Sequence, residues 1–254
     1  MTRRISSSIP SGKVRADARL VDLGLAPTRS KAQALVLAGQ VFLGEQRVEK
    51  PGQALPSDAA LRVRESERFV SRGGYKLEGA LTTLGVDVSG RVCVDVGAST
   101  GGFSDCLLQR GASRVYAVDV GEHQLAARLL ADPRVVVMDR TNARFLTPES
   151  FPEPIQFAVV DASFIGIEKL LPALGNVLGA GAEMCVLIKP QFEAGREQAA
   201  KSRGVIRDPA LRESLIEAAR SAVAAQGFTL LGGCDSSLAG PKGNVEYFVW
   251  ARRS

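Results

Sequence analysis

Histidine is almost missing: His123 is the one histidine in 254 residues. A hydrolase built on a serine–histidine–aspartate relay would have to depend on it, which is a thin basis. The four cysteines, Cys93, Cys106, Cys185 and Cys234, are too scattered for a zinc ligand set. No metal site is expected, and free thiols of this kind point to the reducing cytoplasm. No stretch of about 18 residues is apolar throughout, so no membrane span and no stable membrane association are expected. The nearest candidate, Leu170 to Ile188, is broken by Pro172, Asn176, Glu183 and glycines, and reads as a helix, a loop and a buried strand. No apolar segment follows Arg3 and Arg4, so residues 1–13 read as a disordered lead rather than a secretory signal. Aromatics are also sparse. Phe42 stands alone before Phe69, which disfavours a stacking platform for single-stranded RNA.

What is present begins with an uneven charge. The net charge is +5, and all of it lies in residues 1–70, where 12 Lys and Arg face 7 Asp and Glu. The remaining chain is neutral. A compact basic module beside a neutral body points to a polyanion handle, most often for nucleic acid. Within the module, Ala16, Leu20 and Leu23 mark one helix face, with Gly24 as its stop. Thr28 reads as the N-cap of a second helix carrying Ala32, Leu35 and Val36, ended by Gly39. Short strand-like runs follow at 41–43, 47–48 and 61–63. Arg29 and Lys31 fall in the first turn of the second helix, against the macrodipole, at about 0.3–1 kcal/mol each. A helix start bearing those cations would cradle phosphate.

The motif Arg15-x-Asp17-x-x-Leu20-x-x-x-Gly24, then Thr28–Ala32, Gly39-x-Val41-x-Leu43-Gly44 and Val48-x-Lys50-Pro51-Gly52, resembles the small RNA-binding domain of bacterial ribosomal protein S-four. The resemblance covers residues 14–66. It implies recognition of structured RNA by shape, with Arg15, Arg29, Lys31, Arg47 and Lys50 as the candidate RNA contacts.

From residue 72, after a linker at 67–71, the grammar changes. Leu77, Ala80, Leu81 and Leu84 form one helix face, closed by Gly85. Apolar strand runs follow at 92–96, 115–118, 135–138, 157–160, 185–188, 229–231 and 245–250, with helices between several of them. Asp208 and Pro209 read as the N-cap and first residue of a long helix to about Gln226. Such alternation predicts an α/β fold with a doubly wound, mainly parallel sheet. Ligands of such sheets bind beyond the carboxyl ends of the strands, where Asp119, Asp139, Asp161 and Lys189 fall. The loop Asp95-x-Gly97-Ala98-Ser99-Thr100-Gly101-Gly102-Phe103 is not the dinucleotide fingerprint, because it lacks a glycine at 99. It suits a nucleoside without phosphates, such as S-adenosyl-L-methionine, with Asp119 placed to hold the ribose diol and Asp139 beside it.

A second resemblance covers residues 68–252. It is carried by Ser71–Leu77, Asp95–Phe103, Asp139–Arg144, Asp161–Ile165, Leu187–Glu193 and Gly240–Tyr247, in family order. These are similar to the FtsJ-like ribose 2′-O-methyltransferases, in the subgroup called TlyA or haemolysin A. The resemblance implies a Rossmann-like seven-stranded methyltransferase sheet over residues 72–254, behind a small α+β RNA-binding domain. It implies a Lys–Asp–Lys–Glu tetrad at the target ribose, which maps to Lys76, Asp161, Lys189 and Glu246. It also implies a cytidine of 16S or 23S ribosomal RNA, free or in ribosomal subunits, as substrate. A proline in the family's glycine loop is Thr100 here, with little consequence expected.

Methyl transfer from a sulfonium to a hydroxyl is an in-line displacement, so the protein must align the oxygen and manage its proton. Two roles stay open for Lys189: general base, or member of a charged array that orients the hydroxyl. Other functional classes are a non-enzymatic RNA-binding assembly factor, a haemolysin-like protein and a nicotinamide dehydrogenase. The intact tetrad, the lack of a long amphipathic membrane helix and the glycine-loop pattern weigh against these in turn.

Overall fold

The computed structural model describes residues 12–64, 67–163, 165–194, 204–240 and 242–254. Most of the expected lead, residues 1–11, lies outside them. The described chain forms two compact units, one ending at Arg68 and one spanning Phe69–Ser254.

In the smaller unit, strand β1 (Lys13–Arg15) leads into helices α1 (Ala16–Asp22) and α2 (Arg29–Leu37). Strands β2 (Val41–Leu43), β3 (Gln46–Arg47), β4 (Ala54–Pro56) and β5 (Leu61–Val63) follow. Ala16, Leu20, Ala32, Val36, Val41, Val48 and Leu55 make its core. Thr28 caps α2: its side chain accepts from Lys31 N at 3.2 Å. Strands β1 and β4 pair antiparallel, and their periodicity could not be read from three residues each.

The larger unit is the expected α/β layer structure. Its sheet combines β6 (Val92–Val96), β7 (Arg114–Val118), β8 (Val135–Met138), β9 (Ile155–Val160), β10 (Leu178–Ile188), β11 (Phe228–Asp235) and β12 (Tyr247–Arg253). The seven strands run in the order β11-β12-β10-β9-β6-β7-β8. Strand β12 is antiparallel to both neighbours, and the other pairings are parallel. The strand order turns between β6 and β9, so the ligand crevice opens there.

Two apolar layers cover the sheet. One gathers Val94, Val96, Val160, Val186 and Ile188 with α6 (Leu171–Val177) and α8 (Pro209–Ala225). The other gathers Cys93, Phe157, Cys185 and Phe248 with α3 (Arg72–Leu84), α4 (Gly102–Gln109) and, through Leu129, the short α5 (Ala127–Leu130). Asp208 caps α8 through Ala210 N at 3.0 Å. Strand β10 starts at Leu178, seven residues before the apolar run. Its Gly-Ala-Gly-Ala start reads as loop in sequence, and the register shift between Leu178 and Glu183 absorbs it.

Phe69–Ser71, read above as linker, pack into the larger unit. Phe69 is 1% exposed and meets Tyr75 edge-on, and Val70 N donates to Asp105 Oδ2 at 2.8 Å. Helix α3 therefore starts at Arg72, with the Ser71 hydroxyl accepting from Gly73 N. The linker starts α3 and so helps place Lys76. Among the described residues, no helix is long and apolar enough to cross a membrane.

Candidate active site

The glycine loop leaves the carboxyl end of β6 and enters α4. Gly97 sits at φ +86°, where side chains are strained. A Cβ there would come within 2.8 Å of the Asp161 carbonyl oxygen, so the two strand ends approach as closely as backbone allows. The resulting cavity holds about 370 Å³. Its walls are Gly97–Thr100, Gly102 and Phe103 from the loop, Ser71–Gly73 and Lys76 from α3, Asp161 beyond β9, and Ala239. That volume suits a compact nucleoside-sized ligand.

Behind two of these wall residues stand the other two tetrad members. Lys76 Nζ donates to Glu246 Oε2 at 2.5 Å, and both are buried, Glu246 to 1% exposure. The Lys189 ammonium pairs with Asp161 Oδ1 and donates to Ser163 Oγ at 2.8 Å. Lys189 is 8% exposed, at the carboxyl end of β10. Two lysine–carboxylate pairs from four separate segments thus converge on one cavity. A lone solvated or snorkelling lysine would not be buried against a carboxylate at a strand end.

The remaining candidates are placed differently. Asp95 is completely buried between β6 and α4. Its Oδ2 accepts from Ser104 N at 2.8 Å and Ser104 Oγ at 2.7 Å, while Oδ1 has no hydrogen-bond partner among the described residues. Burial above all pushes its carboxyl up to about 7, and the like charges of Asp161 and Asp119 add to the rise. Asp95, Gly101, Asp119 and Asp139 lie outside the cavity lining. Asp119 is half-buried and accepts from Ser99 N and Gly121 N, both at 2.8 Å. Asp139 accepts from His123 N at 2.9 Å. Gly101 adopts φ +94° at the start of α4.

These features test the fit of a methyl donor. The carboxyl groups of Asp95, Asp119 and Asp161 flank the glycine loop, and the buried Oδ1 of Asp95 has no hydrogen-bond partner among the described residues. Such a field favours a ligand carrying positive charge and opposes a pyrophosphate. S-adenosylmethionine, with its sulfonium and ammonium, fits that character.

The smaller unit holds its five candidate cations on the surface. Arg15, Arg29, Lys31, Arg47 and Lys50 are all exposed. Sequence reasoning gave Asp17 no role, yet it organises two of them. Asp17 is fully buried and accepts from Arg15 Nε at 3.0 Å and Nη2 at 2.8 Å, from Gln33 at 3.0 Å, and pairs with Arg29 at 3.3 Å. Hydrogen bonding to Arg15 leads the causes that hold its carboxyl well below the usual carboxylate range. Its signal was its place two residues after Arg15, which the motif contained without a reason. Arg47 pairs with Glu49 at 3.2 Å.

The FtsJ-like methyltransferase family profile matches residues 69–253. The chain belongs to this family. An S4 domain profile matches residues 14–61. The 16S/23S rRNA (cytidine-2′-O)-methyltransferase TlyA of Mycobacterium tuberculosis is 46% identical, across 94% of this chain and 90% of that protein. Hemolysin A of Brachyspira hyodysenteriae is 40% identical, across 93% and 98%. A solved chain from Streptococcus thermophilus, provisionally titled a hemolysin, matches with TM-score 0.72 and 39% identity over 95% of this chain and 89% of its own. This FtsJ-like chain therefore combines a methyltransferase sheet with an S4 domain, and the expected fold class is borne out. Among the described residues no group of side chains is arranged to hold a metal ion.

Proposed function

We propose that this chain is an S-adenosylmethionine-dependent 2′-O-methyltransferase acting on a cytidine of 16S or 23S ribosomal RNA, in free RNA or in a ribosomal subunit. The observation that carries the reading is the convergence of two pairs, Lys76–Glu246 and Lys189–Asp161, on the glycine-loop cavity, with Lys76 and Asp161 in its wall. The substrate follows from the curated relatives acting on ribosomal cytidines and from the S4 domain. Residues 14–66 are the RNA handle, with Arg15, Arg29, Lys31, Arg47 and Lys50 against the phosphates, and residues 72–254 carry the chemistry. Four free cysteines, three of them buried, suit a reducing cytoplasm.

Residues 97–103 would cradle the donor. Asp119 would hold the donor's ribose diol with Asp139 beside it, and Asp95 would offer its unpartnered oxygen to the donor's cationic end. The donor supplies an activated methyl group: the new oxygen–carbon bond forms as the carbon–sulfur bond breaks, and sulfur keeps the electron pair. Lys76, fixed by Glu246, lies on the cavity wall and orients the ribose hydroxyl with its ammonium. The Lys189–Asp161 pair faces the same point and takes the hydroxyl proton, with Asp161 holding a carboxylate ready for it. Lys189 is held by a carboxylate and a hydroxyl rather than standing free, an arrangement that suits the orienting array better than a free lysine base. Fixed orientation of this kind replaces solvent reorganisation at the moment of transfer.

The test is methyl incorporation into unmethylated ribosomal RNA with mapping of the modified ribose. Lys189→Ala should lower kcat by about 10²–10⁴-fold while donor affinity stays within a few-fold. Full activity in that variant, or methyl transfer to a base nitrogen, would overturn the reading.

A further inference from the structure

We infer that Ser163 is a positioning residue for this reaction, acting by fixing the tip of Lys189; the inference rests on the tetrad reading above. Lys189 ends in an ammonium with three N–H donors on a flexible four-carbon stem. One carboxylate sets one direction only. Around Nζ the structure supplies three different neighbours: the Asp161 carboxylate, the Ser163 hydroxyl at 2.8 Å, and the Phe192 ring, whose centroid lies 5.8 Å away. Asp161 and Ser163 approach from the segment after β9, and Phe192 from helix α7 (Pro190–Glu193), which follows Lys189 directly.

The two segments are also tied to each other. Glu193 Oε1 accepts from Ile167 N at 3.1 Å, so the loop bearing Ser163 is bound to the helix that follows Lys189. The packing is close at Gly166, where a Cβ would lie 3.3 Å from Glu193 Oε2. Hydroxyl and ammonium are thus held in register from both sides. Ser163 itself is exposed, so its hydroxyl buries little and contributes little to folding. Its bond to an otherwise buried lysine tip has its consequence in where that tip points. A displacement of about 1 Å at a reacting group costs up to about 10²-fold in rate.

The experiment uses the full-length protein, labelled S-adenosylmethionine and unmethylated ribosomal RNA. Ser163→Ala should lower kcat about tenfold, with KM for RNA and donor affinity within about twofold. Ser163→Thr keeps the β-hydroxyl and should restore kcat to within about threefold of the starting protein. Combining Ser163→Ala with Lys189→Ala should cost no more than Lys189→Ala alone. The inference is overturned if Ser163→Ala keeps its kcat, if the loss falls in KM alone, or if Ser163→Thr is as slow as Ser163→Ala. Lys189→Ala separates the layers. An active Lys189→Ala removes the tetrad reading and this inference together. An inactive Lys189→Ala beside a fully active Ser163→Ala removes this inference only.

Discussion

Each unit of the molecule buries one aspartate completely, and the two are handled in opposite ways. In the smaller unit, Asp17 has both oxygens filled by two guanidinium groups and an amide. In the larger unit, Asp95 has one oxygen filled by Ser104 and one left open, with carboxylates nearby. Full pairing makes Asp17 an anchor that aims Arg15 and Arg29 outward. Incomplete pairing leaves Asp95 with a buried oxygen that no described residue fills, which in the function proposed above is the group offered to the donor's cationic end. A buried charge is thus informative by what it lacks as much as by what it touches.

The contrast extends to pH. Asp17 has a lowered carboxyl, so its stabilisation is present above the ordinary carboxylate range and is lost as pH falls through its folded-state value. Asp95 has a raised one, so its contribution is fully present below 3.8 and is lost as pH rises through about 7.

The largest effect expected from breaking this contrast is that of Asp17→Ala. It leaves two guanidinium groups facing each other and should cost the smaller unit about 2–3 kcal/mol, at the low end for a buried ion cluster because both arginines are half-exposed. Circular dichroism in urea should show an early transition. The fluorescence of Trp250, the sole tryptophan, should still report a normal transition of the larger unit. One unchanged transition by both probes would end the anchor assignment.

Asp95→Asn comes next. Donor affinity should fall about tenfold, or ~1.4 kcal/mol. The donor-free protein should melt higher than the starting protein above pH 7, with the difference gone below about pH 4. Calorimetry and melting curves across that range read both, and unchanged donor affinity would remove that role for Asp95.

The smallest effect is that of Gly52→Ala. Its Cβ would meet Arg15 Nη1 at 2.8 Å, and a flexible guanidinium can yield. The cost should stay below about 1 kcal/mol, with RNA affinity reduced a few-fold in a filter-binding titration. Loss of the whole smaller unit would mean that Arg15 is far more rigid than half-exposure implies.

Much of this was legible in the residues. The strand runs, the glycine loop and the Asp208–Pro209 helix start each obey local rules. The misses share a cause. Strands β1 and β4 are too short for alternation to register, and the start of β10 is glycine-rich, so pairing rather than propensity makes it a strand. Ser163 was quoted in a motif without a role, because nothing local says which lysine its hydroxyl will meet.

Taken alone, the sequence determined the class of sheet, the basic head on a neutral body, and which residue types stand at the strand ends. Those are matters of periodicity and composition, which short stretches carry by themselves. Only the tertiary structure decided that Lys76 meets Glu246 across 170 positions, that Asp161 and Ser163 share Lys189, and that Asp95 keeps one oxygen open. Such pairings depend on where the strand order turns between β6 and β9 and on which side chains burial then forces together. No single segment contains that information.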